Sequence, residues 1–294
     1  EDNREKITAL YKKFLVNQFH DILPGSHIHP VYEDAMADYR EIEAELDKLI
    51  GTGSKYFNTL NFKRDALTFI PNKNGTSTRY GVKGNWLIPD MPALSSANLR
   101  RAYFNGEWIE IGETVETPYY SVKFGNDGSI LSLYDKELDR EWVNGDFNKI
   151  KIYKDCPGNY DAWDILPNYK EKQINITVSK PLSLFEKDKE CASFITELKT
   201  EKSTWTMIIR LFRRSRGIEI ENVVFWNEKH KLAKAEFGCN VLARKALCDT
   251  SAGFIERETH KNTTWQQARF EVCHHKWCDM SETDSGIAVI NDGK

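Results

Sequence analysis

The feature that most constrains the fold of this 294-residue chain is an abrupt change of residue pattern near position 54. Before that point, apolar residues recur at helical spacing. After it, the segments are short, rich in β-branched and aromatic residues, and separated by turn residues. The stretch GTGS at 51–54 has the composition of a flexible linker between the two regions. We therefore expect a short helical region followed by a long β region, which places the chain in the mostly-β class.

Two amphipathic helices are predicted before the linker. The first covers residues 1–23 and is expected to end at Pro24-Gly25. The second runs from about Pro30 to Ile50 and has a narrow apolar seam of the kind that packs against a partner helix. The apolar positions are Ile7, Leu10, Tyr11, Phe14, Leu15 and Phe19, then Ala35, Tyr39, Ile42, Leu46 and Leu49. Residues 1–52 are thus predicted to form a helical hairpin.

The β region is predicted to contain two parts. Residues 53–115 hold weaker strands and are interpreted as a small β linker domain, and residues 116–294 as a large antiparallel sandwich. The clearest hairpin is YYSVKFGNDGSILSLYD, in which Asn126-Asp127-Gly128 supplies the turn. The last strand, GIAVI, runs into an Asn-Asp-Gly turn, so we expect the sandwich to continue beyond the C-terminus.

Charge, hydropathy and cysteine content exclude several classes of function. The chain has 41 basic and 44 acidic residues and no basic block, which argues against nucleic acid as a partner. No apolar run approaches the ~18–20 residues that cross a bilayer, so no membrane is expected. Six cysteines at irregular spacing in a chain of this size predict reduced thiols rather than a disulfide framework.

The segment CHHKWC at 273–278 contains ligand types for tetrahedral zinc. If the segment is extended, however, alternation sends His274 and His275 to opposite faces. A second ligand pair at the usual spacing is also absent from the sequence. Ordinary strand and turn residues are therefore the favoured interpretation, and a structural zinc protein is kept as a third hypothesis.

The segment YDAWDI at 160–165 combines aromatic side chains with two carboxylates. Sugar sites use this mixture, because aromatic faces contact the C–H side of a pyranose and carboxylates bind its hydroxyls. An ordinary loop that packs its aromatic residues and caps its neighbours with aspartate is the favoured interpretation, because exposed turns commonly contain aspartate. Asp161 and Asp164 could also mimic a glycosidase pair, but their sequence spacing does not give the required separation.

The segment NQFHDILPGS at 17–26 places His20 beside Asp21 near the predicted end of the first helix. A histidine there can interact favourably with the helix dipole, whereas an aspartate faces its negative end at a cost of a few tenths of a kcal/mol. A nearby cation would remove that cost. Taken alone, His20 is more often such a helix-end residue or a satisfied core histidine than a ligand, so the pair is kept as a candidate metal and ligand site beside that interpretation.

This segment, with LYKKFLV before it and VYEDA after it, resembles the signature of the glycoside hydrolase family 38 α-mannosidases, most closely the bacterial and cytosolic-vacuolar branch. The resemblance continues in order through YFNTLNFKRD, IPDMPALS, YYSVKFGNDGSILSLYDKELDRE, IYKDCPGNYDAWDI, FWNEKHKLAKAEF, GFIERETHKNTTWQQARFEVCHHKW and GIAVIND. Several ordered motifs of this length carry the resemblance, whereas a lone His-Asp pair would not.

The resemblance implies a retaining, zinc-dependent α-mannosidase that hydrolyses terminal α-linked mannose from glycans. In that family an N-terminal barrel-like catalytic domain precedes a helical bundle and β domains that end in a galactose-mutarotase-like supersandwich. The hairpin would belong to the middle helical bundle, and the chain would be the C-terminal portion that follows the barrel. The N-terminal catalytic domain of the same polypeptide is the implied partner.

The resemblance assigns zinc ligation to His20 and a contact with substrate hydroxyls to Asp21. It also places Tyr160 near the sugar, with Asp161 as a further substrate contact. The nucleophile, the acid/base and three other metal ligands would lie upstream, so this portion alone is expected to be inactive. Branch resemblance and free cysteines predict a cytoplasmic location, and a homo-oligomer is left open. The alternative hypothesis is a non-catalytic carbohydrate-binding or scaffolding β module.

Overall fold

The computed structural model describes residues 3–51, 56–64, 66–97, 108–160 and 164–292. Among these residues strands dominate, and the paired strands run antiparallel. The predicted mostly-β class with an N-terminal helical pair is confirmed. The chain divides into two compact units: Glu1–Arg64 with Met91–Arg100, and Asp65–Asp90 with Arg101–Lys294. The three-part division at residues 52 and 115 stays a prediction.

The helices and strands have the following bounds. The α-helices are α1 (Arg4–Val16), α2 (His29–Ile50) and α3 (Thr264–Ala268), with a 3₁₀ turn at Tyr169–Lys172. The first strands are β1 (Tyr56–Asn58), β2 (Thr68–Pro71), β3 (Ser77–Arg79), β4 (Val82–Leu87), β5 (Ser95–Ala97), β6 (Glu110–Ile111), β7 (Val115–Glu116), β8 (Tyr120–Phe124), β9 (Ile130–Asp135) and β10 (Arg140–Glu141). The later strands are β11 (Val143–Lys154), β12 (Gln173–Ile174), β13 (Thr177–Lys187), β14 (Cys191–Lys199), β15 (Thr204–Phe212), β16 (Glu219–Phe225), β17 (Lys231–Cys239), β18 (Lys245–Thr250), β19 (Gly253–Glu258), β20 (Trp277–Ser281) and β21 (Gly286–Ile290).

The first unit contains the helical pair and the small sheet β1-β5. Helix α2 begins one residue before Pro30, in agreement with the preference of proline for the first helical turn. Leu10 of α1 and Ala35 and Ile42 of α2 are buried, as expected for apolar residues at helical spacing. Helix α1 ends at Val16, so the prediction of a helix through residue 23 is wrong.

The second unit contains five antiparallel sheets among its described residues. Their strand orders are β10-β9-β8-β7-β6, β13-β14-β15-β16, β12-β11-β17, β19-β18-β20-β21 and β2-β4-β3. The main buried cluster joins side chains from different sheets, including Val122 and Ile130 of β8 and β9 with Phe194 and Leu211 of β14 and β15. Burial of these apolar side chains is the main favourable contribution to the stability of the unit.

The hairpin predicted at Asn126-Asp127-Gly128 is confirmed, because strands β8 and β9 pair across this turn. Gly128 has φ of +82°, a conformation that side chains disfavour. Asp127 Oδ1 accepts a hydrogen bond from the Ser129 backbone N–H at 3.1 Å and so stabilises the turn. In the part of the chain that the structure describes, no helix is long and apolar enough to cross a bilayer.

Candidate functional site

The candidate site begins at Asn17, a buried residue that follows α1 and ties the chain to both helices. Its side-chain amide donates to the Lys13 carbonyl oxygen at 3.1 Å and to Asp38 Oδ2 of α2 at 3.0 Å. Lys13 Nζ also lies 3.1 Å from Asp38 Oδ1. The hydrogen bonds from Asn17 and Lys13 hold the pKa of Asp38 below its usual value. These hydrogen bonds fix the position of Asn17, so the segment that carries His20 begins at a residue held against both helices.

Residues 18–25 form hydrogen-bonded turns rather than helix. The Phe19 carbonyl oxygen accepts hydrogen bonds from the backbone N–H groups of Ile22 at 2.9 Å and Leu23 at 3.1 Å. Gly25 has φ of +78°, which favours glycine at this position. Because α1 ends at Val16, Asp21 lies outside its last turn. The predicted dipole penalty on Asp21 is therefore wrong, since that effect is confined to the final turn.

His20 and Asp21 lie together at the surface of the turn. His20 Nε2 is 3.5 Å from Asp21 Oδ2, and the side chains are 77% and 51% exposed. The imidazole ring also contacts the Phe19 ring, with 4.2 Å between the ring centroids. An imidazole nitrogen and a carboxylate oxygen in this arrangement can bind a divalent cation or hydrogen-bond a polar ligand.

Apolar side chains are exposed on the helical pair around this turn. The exposed positions in and beside α1 are Ile7, Tyr11, Phe14, Leu15, Val16, Phe19 and Leu23. Of the six apolar residues predicted to form one face of the first helix, Leu10 is buried. Seven large apolar side chains exposed within residues 7–23 indicate an interaction site, because soluble proteins rarely leave extensive apolar surface in water.

Tyr160 belongs to the second unit and lies in the loop between β11 and the 3₁₀ turn. Its side chain is 78% exposed and its φ is +56°, a left-handed conformation that is uncommon for a non-glycine residue. Its carbonyl oxygen accepts a hydrogen bond from the Asp164 backbone N–H at 3.0 Å. Asp161, the other predicted substrate contact in this loop, lies outside the described residues.

The loop that carries Tyr160 is anchored at its far end by Tyr169, a connection that the sequence did not indicate. The buried Tyr169 hydroxyl donates to Glu271 Oε1 at 2.5 Å, and Lys234 Nζ donates to Glu271 Oε2 at 2.5 Å. Burial and the hydrogen bond to Glu271 raise the pKa of Tyr169. Burial opposes ionisation of Glu271, but hydrogen bonds from Lys234 and Tyr169 hold its pKa below the usual value.

The alternative zinc cluster does not form a ligand group. Among the described residues, no three histidine, cysteine, aspartate or glutamate side chains converge as a metal site. Strand β20 begins at Trp277, so Cys273, His274 and His275 lie in the irregular segment before it, and Cys278 lies within the strand. This arrangement differs from the fully extended segment considered from the sequence.

Two domain-family models match this chain and show the family to which it belongs. A family model described as "Glycosyl hydrolases family 38 C-terminal domain" matches residues 115–294, and one described as "Alpha mannosidase middle domain" matches residues 1–57. The chain belongs to glycosyl hydrolase family 38. The resemblance carried by the sequence motifs is therefore confirmed.

Individual relatives agree with this family 38 assignment. Human Alpha-mannosidase 2C1 is 27% identical over 311 residues, which cover 98% of this chain and 30% of the relative. Alpha-mannosidase from Saccharomyces cerevisiae is 27% identical over 314 residues, which cover 99% of this chain and 27% of the relative. The chain thus spans about a third or less of the length of these relatives.

A solved structure supports the fold. The crystal structure of an α-mannosidase from Enterococcus faecalis V583 matches with a TM-score of 0.71 at 12% sequence identity. The match covers 100% of this chain and 45% of the other. At this identity the likeness shows the fold alone.

Proposed function

We propose that this family 38 chain is the C-terminal part of a retaining, zinc-dependent α-mannosidase that releases terminal α-linked mannose from glycans. The observation that carries the proposal is the exposed His20-Asp21 pair, which lies in the segment matched by the α-mannosidase middle domain. The relatives named above are α-mannosidases, which supports the same substrate class.

In the proposal, His20 holds zinc through its imidazole and Asp21 binds a hydroxyl of the mannose ring. The donor types fit, because imidazole nitrogen is a common zinc ligand and a carboxylate accepts hydrogen bonds from sugar hydroxyls. Zinc, when bound, supplies Lewis acidity toward the hydroxyl oxygens of the substrate. One donor, His20, does not complete a tetrahedral shell, so we propose that three further ligands come from a preceding segment of the polypeptide.

The same preceding segment is proposed to be the N-terminal catalytic domain, which supplies the nucleophile and the acid/base. The exposed apolar side chains of α1 support this proposal, because a packed domain would remove them from water. The length of the named relatives supports it as well, since the match covers 27–30% of them. Tyr160 is proposed to contact the substrate through its exposed ring, and Asp161, the next residue in the sequence, is proposed as a further substrate contact.

The decisive experiment replaces His20 in the full-length protein. We expect His20→Ala to lower bound zinc and to reduce kcat/KM for an aryl α-mannoside by more than tenfold, or more than ~1.4 kcal/mol. Asp21→Ala is expected to reduce kcat/KM by more than tenfold while zinc is retained. Zinc content is measured by plasma mass spectrometry and activity by release of the aryl alcohol.

His29→Ala is the matched control, because the side chains of His29 and His20 are both 77% exposed. This variant should keep both zinc and activity. Losses below tenfold for His20→Ala, or equal losses for His29→Ala, would contradict the site assignment. Turnover by the 294-residue chain alone, supplied with zinc and the aryl mannoside, would contradict the proposed division of catalytic groups. The cytoplasmic location predicted from the sequence is a separate proposal that these experiments do not test.

A further inference from the structure

Cys248 and Cys278 form a facing pair of thiols in the sheet β19-β18-β20-β21. The two residues are directly paired across the antiparallel strands β18 and β20. Their Sγ atoms are 3.7 Å apart, although the residues are 30 positions apart in the sequence. The two cysteines are therefore opposite each other in the strand register and in contact through their sulfur atoms.

The strand geometry suits a covalent bond between these sulfur atoms. Directly opposite residues in an antiparallel ladder have Cβ atoms about 4.5–5.5 Å apart, and disulfides span about 3.5–4.5 Å between Cβ atoms. The Cys248 and Cys278 sulfur atoms are already in contact. Bond formation requires the sulfur separation to shorten to about 2.0 Å, through side-chain rotation and a small approach of the strands.

The two thiols differ in their access to solvent. Cys248 is 1% exposed, whereas Cys278 is partly exposed on the neighbouring strand. A small oxidant therefore reaches Cys278 first, and Cys248 is held beside it as the resolving thiol. Burial and the adjacent Cys248 thiol raise the pKa of Cys278 to about 11. Oxidation is consequently slow at neutral pH and accelerates as the pH rises, since the thiolate is the nucleophile.

We propose that Cys248 and Cys278 are a redox modification site that closes to a disulfide in the presence of a peroxide. The Cys278 thiolate attacks one peroxide oxygen, the O–O bond breaks, and a sulfenic acid and hydroxide form. The Cys248 sulfur then attacks the sulfenic sulfur, the S–O bond breaks, and the thiol proton leaves with the hydroxyl group as water. The sum is two thiols and one hydrogen peroxide giving one disulfide and two waters.

The disulfide would strengthen a short contact within the sheet. The β18–β20 ladder has two paired positions among the described residues, Leu247 with Asp279 and Cys248 with Cys278. A bond at this position closes a loop that contains β19 and α3. Closure of such a loop restricts the unfolded chain and raises thermal stability. We therefore expect the oxidised protein to melt several degrees higher than the reduced protein.

The test uses a Cys156→Ser, Cys273→Ser background, because these two thiols are exposed and would form unrelated adducts. The folded protein is treated with hydrogen peroxide at about pH 7 and about pH 9, alkylated after denaturation, digested and analysed by mass spectrometry. The expected product is a peptide pair linked through Cys248 and Cys278, formed faster at the higher pH and removed by dithiothreitol. The unsubstituted protein is mapped in parallel, so the result does not depend on the folding of a variant.

Cys278→Ser should abolish the linked peptide, whereas Cys239→Ser is the matched control and should retain it. Cys239 is also partly buried, but it lies on β17 rather than opposite Cys248. The proposal is overturned if the unsubstituted protein gives no Cys248–Cys278 peptide at the higher pH. It is also overturned if Cys248 links mainly to Cys239, or if the linked protein melts at the temperature of the reduced protein.

Discussion

Substitution of Gly128 tests how tightly the Asn126-Asp127-Gly128 turn is built into the core. Gly128 has φ of +82°, and a Cβ atom at this position would lie 2.9 Å from Met207 Sδ and 3.0 Å from Thr196 Cγ2. Met207 and Thr196 are both almost completely buried. The Thr196 hydroxyl also donates to the Lys180 carbonyl oxygen at 2.8 Å, which restricts its movement.

The cost of Gly128→Ala has two parts. The left-handed backbone costs a residue with a side chain about 1–2 kcal/mol, and overpacking of a buried site typically costs about 1–3 kcal/mol. Replacement of glycine also restricts the unfolded chain, which stabilises the folded state by about 0.4–1 kcal/mol. We therefore expect the free energy of unfolding of the second unit to fall by about 1–5 kcal/mol.

Gly145→Ala is the control that separates the two parts. Gly145 also has a positive φ, +91°, but a Cβ atom there would have nothing within 4 Å. Gly145→Ala is therefore destabilised only by the left-handed backbone conformation, and the restriction of the unfolded chain partly offsets this loss. Its free energy of unfolding should fall by about 1 kcal/mol. The difference between the variants isolates the contact with Met207 and Thr196.

Urea denaturation, followed by tryptophan fluorescence and circular dichroism, measures both variants against the unsubstituted protein. Coincident transitions from the two probes are required for a two-state treatment, and equal m-values show that the denatured state is unchanged. If Gly128→Ala and Gly145→Ala lower the midpoint equally, the proposed close packing around the turn is wrong.

Two further predictions concern polar contacts. Asn17→Ala removes the hydrogen bonds to Lys13 and Asp38. Because water can reach the partly exposed Asp38 carboxylate, we expect the free energy of unfolding of the helical pair to fall by only about 1–2 kcal/mol. Amide hydrogen exchange in α1 measures this loss. Asn3→Ala is the control, since the Asn3 side chain makes no cap hydrogen bond, and equal exchange in both variants would refute the anchoring role of Asn17. Glu186 accepts hydrogen bonds from the Thr78 N–H and hydroxyl at 2.7 Å and from Lys83 Nζ at 2.8 Å. Burial opposes ionisation of Glu186, but these hydrogen bonds keep its pKa below the usual value. The contribution of Glu186 to folding stability is therefore present above the unfolded pKa of about 4.3 and is lost as the pH falls through the folded pKa. In urea titrations at several pH values, Glu186→Gln should therefore be less stable than the unsubstituted protein at neutral pH and approach it in acid, and a pH-independent difference would contradict this linkage.

Local signals in the sequence predicted the elements whose causes are local. Pro30 indicated the start of α2, and Asn126-Asp127-Gly128 indicated the β8–β9 hairpin. The end of α1 was predicted wrongly because Phe19 continues the apolar spacing. In the structure, the chain leaves the helix after Val16, where Asn17 bonds Asp38 of the other helix. A contact between residues 21 positions apart is not visible in helical periodicity.

The sequence by itself determined the mostly-β class, the helical pair, the family, and the candidate residues His20, Asp21 and Tyr160, because periodicity, turn residues and ordered motifs are properties of contiguous segments. Only the tertiary structure decided that Tyr169 bonds Glu271 and that Cys248 faces Cys278. These partners are separated by 102 and 30 positions. They meet because strand pairing and sheet packing bring distant segments together, and sequence spacing does not encode that register.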